Sequence, residues 1–92
     1  MRRPGEKNNV IIYGAGESGA RVLQAMQVNQ AFRPVAFIDD DPAIQGNRIN
    51  GLHVHATGAL ADLINKHDVA SILLALPSAS RRRRHEIIES LE

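Results

Sequence analysis

Apolar residues in this chain form short continuous runs and stripes at helical spacing, separated by polar segments. The continuous runs predict buried parallel strands over residues 10–13, 35–38 and 69–76. The last run is expected to be buried on both faces because it is almost wholly apolar. The stripes predict helices over about 18–29, 59–67 and 80–92. In the last of these helices, Ile87, Ile88 and Leu91 are expected to face the core. The pattern is therefore an alternation of strands and helices.

A hairpin signal interrupts this alternation at residues 48–55, where Asn50-Gly51 stands between two short extended stretches. The alternation predicts an α/β fold with a Rossmann-like parallel sheet. Right-handed crossovers give the strand order 3-2-1-4, with a small β-hairpin between strands 2 and 3. Residues 1–8 are expected to be a flexible lead-in or linker, and residues 9–92 the domain. A complete dinucleotide fold has six strands, and this pattern predicts only four main ones. We therefore expect the chain to be a fragment of a larger protein.

Glycines follow the first strand with the spacing G-x-G-x-x-G, at Gly14, Gly16 and Gly19. Gly14 allows the sharp turn, Gly16 leaves room for a pyrophosphate, and Gly19 lets the helix pack closely on the sheet. The helix N-terminus then offers free N–H groups to an anion. Glu17 and Ser18 lie within this turn, and Ser18 could hydrogen-bond a phosphate. The strand, turn and helix together predict a nucleotide-binding site.

Three consecutive acids follow the second strand, at Asp39, Asp40 and Asp41. Asp39 lies twenty residues after Gly19, where a carboxylate can hold ribose hydroxyls. Asp40 fits either a binding or a structural role. Asp41 precedes Pro42 and is expected to cap a short turn.

Residues 69–76 are the fourth strand of the predicted order. The loop after this strand is expected to face the glycine turn, because the order 3-2-1-4 places the fourth strand beside the first. Ser78, Ser80 and Arg81 would then close the opposite wall of the site. Arg81 begins a run of four arginines in the first turn of the last predicted helix, where the macrodipole disfavours cations. Either a bound anion relieves this conflict or the run is a solvated basic face.

Composition narrows the function classes. The net charge of +1 and the content of one Tyr and two Phe argue against nucleic-acid binding. The lack of cysteine excludes disulfides and thiolate metal sites. His53 and His55 alternate onto one strand face, but no third ligand stands near them at a suitable spacing, so we expect no metal site. No apolar run reaches the length of a membrane span.

Several of these segments together resemble a known family. They are the stretch from Ile12 to Gly19, the stretch from Phe37 to Pro42, Gly46 and Ile49 before Gly51, and the stretch from Ala75 to Ser80. They resemble the CoA-binding-like Rossmann domain of bacterial polysaccharide biosynthesis proteins, the membrane-anchored nucleotide-sugar 4,6-dehydratases and epimerases of the CapD, FlaA and WbpM kind. A similar domain precedes the transferase part of some undecaprenyl-phosphate sugar phosphotransferases.

The resemblance implies a cytoplasmic domain of a bacterial inner-membrane protein, lying between a membrane domain and a catalytic short-chain dehydrogenase-type domain. The family's Tyr-Lys or Met-Lys catalytic pair belongs to that other domain, so this chain is expected to be non-catalytic. NAD is the expected ligand, with a UDP-sugar nucleotide or CoA as alternatives. A further alternative is a ligand-free regulatory module that forms a homodimer.

Overall fold

The chain folds as an α/β sandwich around a mostly parallel sheet of five strands. The computed structural model describes residues 8–28, 31–75 and 88–89. The strands are β1 (Asn8–Tyr13), β2 (Phe32–Ile38), β3 (Arg48–Ile49), β4 (Leu52–His55) and β5 (Val69–Leu74). The helices are α1 (Glu17–Val28) and α2 (Leu60–His67), the latter preceded by a 3₁₀ turn at Thr57–Ala59.

The strand order is β3-β4-β2-β1-β5, which corrects the expected order 3-2-1-4. The hairpin is not an addition between two sheet strands, because its second strand β4 is itself the parallel neighbour of β2. Strand β3 pairs antiparallel with β4 and lies at the outer edge. As expected, the strand after the second long helix lies parallel beside β1.

Strand β2 begins at Phe32, three residues earlier than the apolar run indicated. Its pairing with β1 is irregular, since Val10 lies opposite Pro34 and Ile11 lies opposite Ala36. Proline has no amide hydrogen for the ladder, which explains a bulge at this position.

Alternating residues of β1 supply two cores, one on each face of the sheet. Val10 and Ile12 join Leu23 and Met26 of α1. Ile11 and Tyr13 join Leu60 and Leu63 of α2. Strand β1 is an interior strand buried on both faces, and it fixes the position of the glycine turn at its carboxyl end.

Strand β5 is more exposed than its apolar sequence indicated. Leu73 is 37% exposed, so the expectation of burial on both faces was wrong. Within the described part of the chain, the reason is the position of α1, which packs mainly on β1 and β2 and covers the same face of β5 only in part. An apolar groove of about 320 Å³ results, lined by Val22, Ala25, Met26, Phe32 and Leu73.

The predicted last helix falls mostly outside the described residues. Ile88 is helical but 41% exposed, which differs from the expectation that it faces the core. Among the described helices, none is long and apolar enough to cross a membrane.

Candidate functional site

The glycine turn joins the carboxyl end of β1 to the start of α1. Gly14 has a φ of 112°, a conformation that disfavours any residue with a Cβ atom, and its amide donates to the Ile38 carbonyl at 2.7 Å. Gly19 is buried against this turn, since a Cβ atom there would lie 1.9 Å from the Gly14 carbonyl oxygen. Both glycines therefore have the structural roles that the motif indicated.

The first turn of α1 presents backbone amides at the same edge of the sheet. The Gly16 carbonyl accepts the first intrahelical bond, from the Ala20 amide at 3.0 Å, so Gly16 is the N-cap residue. The amides of Glu17, Ser18 and Gly19 precede that bond and have no acceptor within the helix. A Cβ atom on Gly16 would meet nothing within 4 Å. Space and unused donors thus coincide at the helix start, the arrangement that binds phosphate groups.

Glu17 and Ser18 differ in their suitability for this site. The Glu17 carboxylate is exposed and accepts a hydrogen bond from the Arg21 guanidinium at 3.1 Å. An acid in the first turn of a helix is favourable for the macrodipole, but its charge opposes a nearby phosphate. Ser18 is half-buried in the same turn. Of these two predicted residues, Ser18 alone has a side-chain donor that suits a phosphate, because an ionised carboxylate only accepts hydrogen bonds.

Asp39 directly follows β2, and its carboxylate is held by two backbone amides. The Ala15 amide donates to Oδ2 at 2.9 Å, and the Asp41 amide donates to Oδ1 at 2.9 Å. The first bond joins the acid to the glycine turn, across 24 residues of sequence. The structure thus brings together the predicted turn and the predicted ribose ligand, and fixes the carboxylate between two loops.

The acids after Asp39 have separate environments. Asp41 Oδ1 accepts the Ala43 amide at 2.9 Å, and its carbonyl accepts the Ile44 amide at 3.1 Å, so Asp41 caps a turn as predicted. Asp40, between Asp39 and Asp41, is exposed.

Residues that the sequence did not single out complete this edge of the sheet. The Gln45 side-chain amide donates to the Asp39 carbonyl at 2.8 Å, and the Asp39 amide donates to the His55 carbonyl at 3.1 Å. The hydroxyls of Tyr13 and Thr57 lie 3.3 Å apart. No sequence motif marks these partners, because the pairings depend on how β4 aligns beside β2.

The opposite wall of the predicted site lies outside the described residues, since Ser78, Ser80 and Arg81 all follow Ala75. The Ala75 amide donates to the Tyr13 carbonyl at 2.8 Å, so the end of β5 does lie beside the start of the glycine turn.

Histidines occupy the outer part of the sheet. The rings of His53 and His55 lie 5.9 Å apart, and Arg48 Nε donates to His53 Nε2 at 3.1 Å. Burial lowers the pKa of His55, and the charges of His53, His67 and Lys66 lower it further. Within the described ranges, no three potential ligand side chains are grouped to hold a metal ion.

Comparison with known proteins identifies related domains. Residues 1–92 match the family described as CoA-binding domain. The capsular polysaccharide biosynthesis protein CapD of Staphylococcus aureus is 32% identical over 87 residues, a match that covers 89% of this chain and 14% of that protein.

Solved structures also match this chain. The structure described as UDP-D-quinovosamine 4-dehydrogenase from Vibrio fischeri matches with a TM-score of 0.86 and 40% identity, over 94% of this chain and 70% of that one. The Rex-family repressor RSP matches with a TM-score of 0.75 and 20% identity, over 92% of this chain and 41% of that one, which shows a shared fold.

Proposed function

The chain belongs to the family of CoA-binding domains, and from that premise we propose that it binds a nucleotide at the carboxyl edge of its sheet, with NAD as the ligand. The observation that carries this proposal is the Asp39 carboxylate, held 2.9 Å from the amide of Ala15 in the glycine turn. A diphosphate at the start of α1 places its adjoining ribose toward the end of β2 in folds of this type. Asp39 is the acid at that position.

The charge at Asp39 supports NAD over ligands with a phosphorylated ribose. Each carboxylate oxygen has a second lone pair and can accept a ribose hydroxyl while keeping its backbone bond. NADP carries a 2′-phosphate and CoA a 3′-phosphate on the adenosine ribose, and either phosphate would approach the Asp39 anion. The family's name therefore does not fix the ligand of this member.

A UDP-sugar nucleotide is the second candidate, because it has both a diphosphate and an unphosphorylated ribose. It is favoured by the name of the Vibrio fischeri relative, which specifies a UDP-sugar. NAD fits the fold equally, since RSP has been solved with NADH.

We further propose that the whole protein modifies nucleotide sugars in bacterial surface polysaccharide biosynthesis, as a 4,6-dehydratase or epimerase. The names of the CapD and quinovosamine relatives support this role. The chain spans only 14% of CapD, and catalysis would belong to a short-chain dehydrogenase-type domain elsewhere in the protein. The tyrosine of this chain is buried, and its hydroxyl lies 3.3 Å from that of Thr57. We also propose that this domain lies in the cytoplasm, beside a membrane domain of the same protein.

Calorimetric titration of wild type and Asp39→Asn with NAD, NADP, CoA and UDP-N-acetylglucosamine tests this assignment. Asparagine has the same shape and keeps one oxygen acceptor, but it removes the charge and places an NH2 donor opposite one of the two backbone amides that bond to Asp39. We expect NAD binding by wild type and about tenfold weaker binding by Asp39→Asn, the effect of a lost charge-assisted hydrogen bond. In Asp39→Asn, the ratio of NAD affinity to NADP or CoA affinity should also decrease.

Asp41→Asn is the matched control, because it removes a carboxylate from the same loop while leaving an oxygen for the Ala43 amide. It should bind NAD like wild type. Equal NAD affinity for wild type and Asp39→Asn would exclude Asp39 from the site. Binding of none of the four ligands by folded wild type would favour the ligand-free module instead.

A further inference from the structure

The side chain of Gln45 links the loop after β2 back to the residue that begins it. Its Nε2 donates to the Asp39 carbonyl at 2.8 Å, in a partly buried contact. The Asp39 amide already bonds to the His55 carbonyl. Both backbone polar groups of Asp39 are thereby satisfied, one by the neighbouring strand and the other by Gln45.

The path of this loop determines where the Asp39 carboxylate points. Oδ1 is held by the Asp41 amide, so its orientation depends on how the chain turns after Asp39. The backbone amide of Gln45 also donates, to the Asp41 carbonyl at 3.3 Å. The far end of the loop is fixed separately, where the Gly46 amide donates to the Val54 carbonyl at 2.8 Å. Gln45 therefore contacts both Asp39 and Asp41, the two residues that define the turn.

We propose that Gln45 is a positioning residue that holds Asp39 in the orientation needed to select an unphosphorylated ribose. This inference rests on the proposed nucleotide-binding function. Without the Gln45 bond, the turn from Asp39 to Asp41 has one fewer restraint, and the carboxylate can rotate away from the glycine turn. Discrimination by a charged group depends on fixed placement, because a mobile carboxylate can move away from a ribose phosphate.

Replacement of Gln45 by methionine tests the role, because methionine has a similar length but no amide donor. We expect NAD to bind about five- to tenfold more weakly, the usual effect of one lost hydrogen bond. NADP affinity should not fall, because the freed carboxylate can move away from the 2′-phosphate, so the ratio of NAD affinity to NADP affinity decreases. A loss of fold would instead weaken both ligands equally. Gln27→Met, the same change on an exposed part of α1, should match wild type.

Amide hydrogen exchange without ligand gives a second readout. The amides of Ala15 and Asp41 should exchange about tenfold faster in Gln45→Met than in wild type, because both donate to the Asp39 carboxylate. In an Asp39→Asn background, Gln45→Met should cause no further change in the NAD to NADP preference.

The outcomes separate the two proposals. The positioning role is overturned if Gln45→Met keeps the wild-type ratio of NAD to NADP affinity. It is also overturned if hydrogen exchange at the Ala15 and Asp41 amides is unchanged. If Gln45→Met exchanges faster but wild type binds no nucleotide, the proposed function is overturned. The role of Gln45 in ligand selection is then overturned with it.

Discussion

At Gly19, helix α1 packs directly against the glycine turn, with no space for a Cβ atom. The motif position of this glycine predicted close packing, and the structure gives the reason as one atom, the Gly14 carbonyl oxygen. The roles of Gly14 and Gly19 could be inferred from sequence because the motif specifies local backbone geometry. The two amides bound to Asp39 could not, because one of them lies 24 residues away along the chain.

Gly19→Ala should lower the free energy of unfolding by about 2 to 3 kcal/mol, the cost of overpacking against rigid neighbours. The added Cβ atom would meet the Gly14 backbone and, at 3.1 Å, the buried ring of Phe37. Urea denaturation measures the change. Gly58→Ala is the control, since a Cβ atom there meets nothing within 4 Å. Equal midpoints for wild type and Gly19→Ala would mean that the turn and helix are not in contact.

At the scale of elements, the hairpin shows what a local signal can and cannot predict. The Asn50-Gly51 turn was predicted from its residues alone, and both have the positive φ values of a type I′ turn, 49° and 85°. The membership of β4 in the main sheet was not predicted. It depends on two pairings with β2, Phe37 with Val54 and Ile38 with His55, between segments far apart in sequence.

Gly51→Ala should destabilise the chain by about 1 kcal/mol, because a residue with a Cβ atom is strained at a φ of 85°. A Cβ atom there has open space, so strain rather than collision is the cause. Thermal unfolding should show a melting temperature lower by roughly 4 to 8 °C. A melting temperature equal to that of wild type would contradict the I′ geometry of the turn.

The environment of His55 on β4 makes stability depend on pH. Since burial and the positive charges of His53, His67 and Lys66 lower its pKa, the unfolded chain binds the proton more readily than the folded chain. Stability should therefore be lost as pH falls from about 7 through the ordinary histidine pKa of about 6.5 and below. His55→Gln should flatten this part of the stability curve in urea titrations at several pH values. An unchanged slope would show that His55 does not cause it.

At the scale of the whole molecule, the α/β class and the interior position of β1 between two parallel neighbours could be predicted from the pattern of apolar residues. The resemblance to the Rossmann-like domain of polysaccharide biosynthesis proteins is confirmed. The exposure of β5 could not be predicted, because apolar composition does not show which helix covers a strand. The glycine turn predicts no particular ligand, because it suits any diphosphate. The choice of NAD stays a prediction that rests on the acid at Asp39.

The proposed nucleotide site is tested most directly by comparing the NAD affinities of Gly16→Val and Gly58→Val. Both glycines have open space for a Cβ atom, but only Gly16 lies at the N-cap of α1. The substitution should cost at most about 1 kcal/mol of stability. Wild type and Gly58→Val should bind NAD alike, while Gly16→Val should show no binding because its side chain occupies the place of the pyrophosphate. Undiminished NAD binding by Gly16→Val would contradict a nucleotide site at the glycine turn.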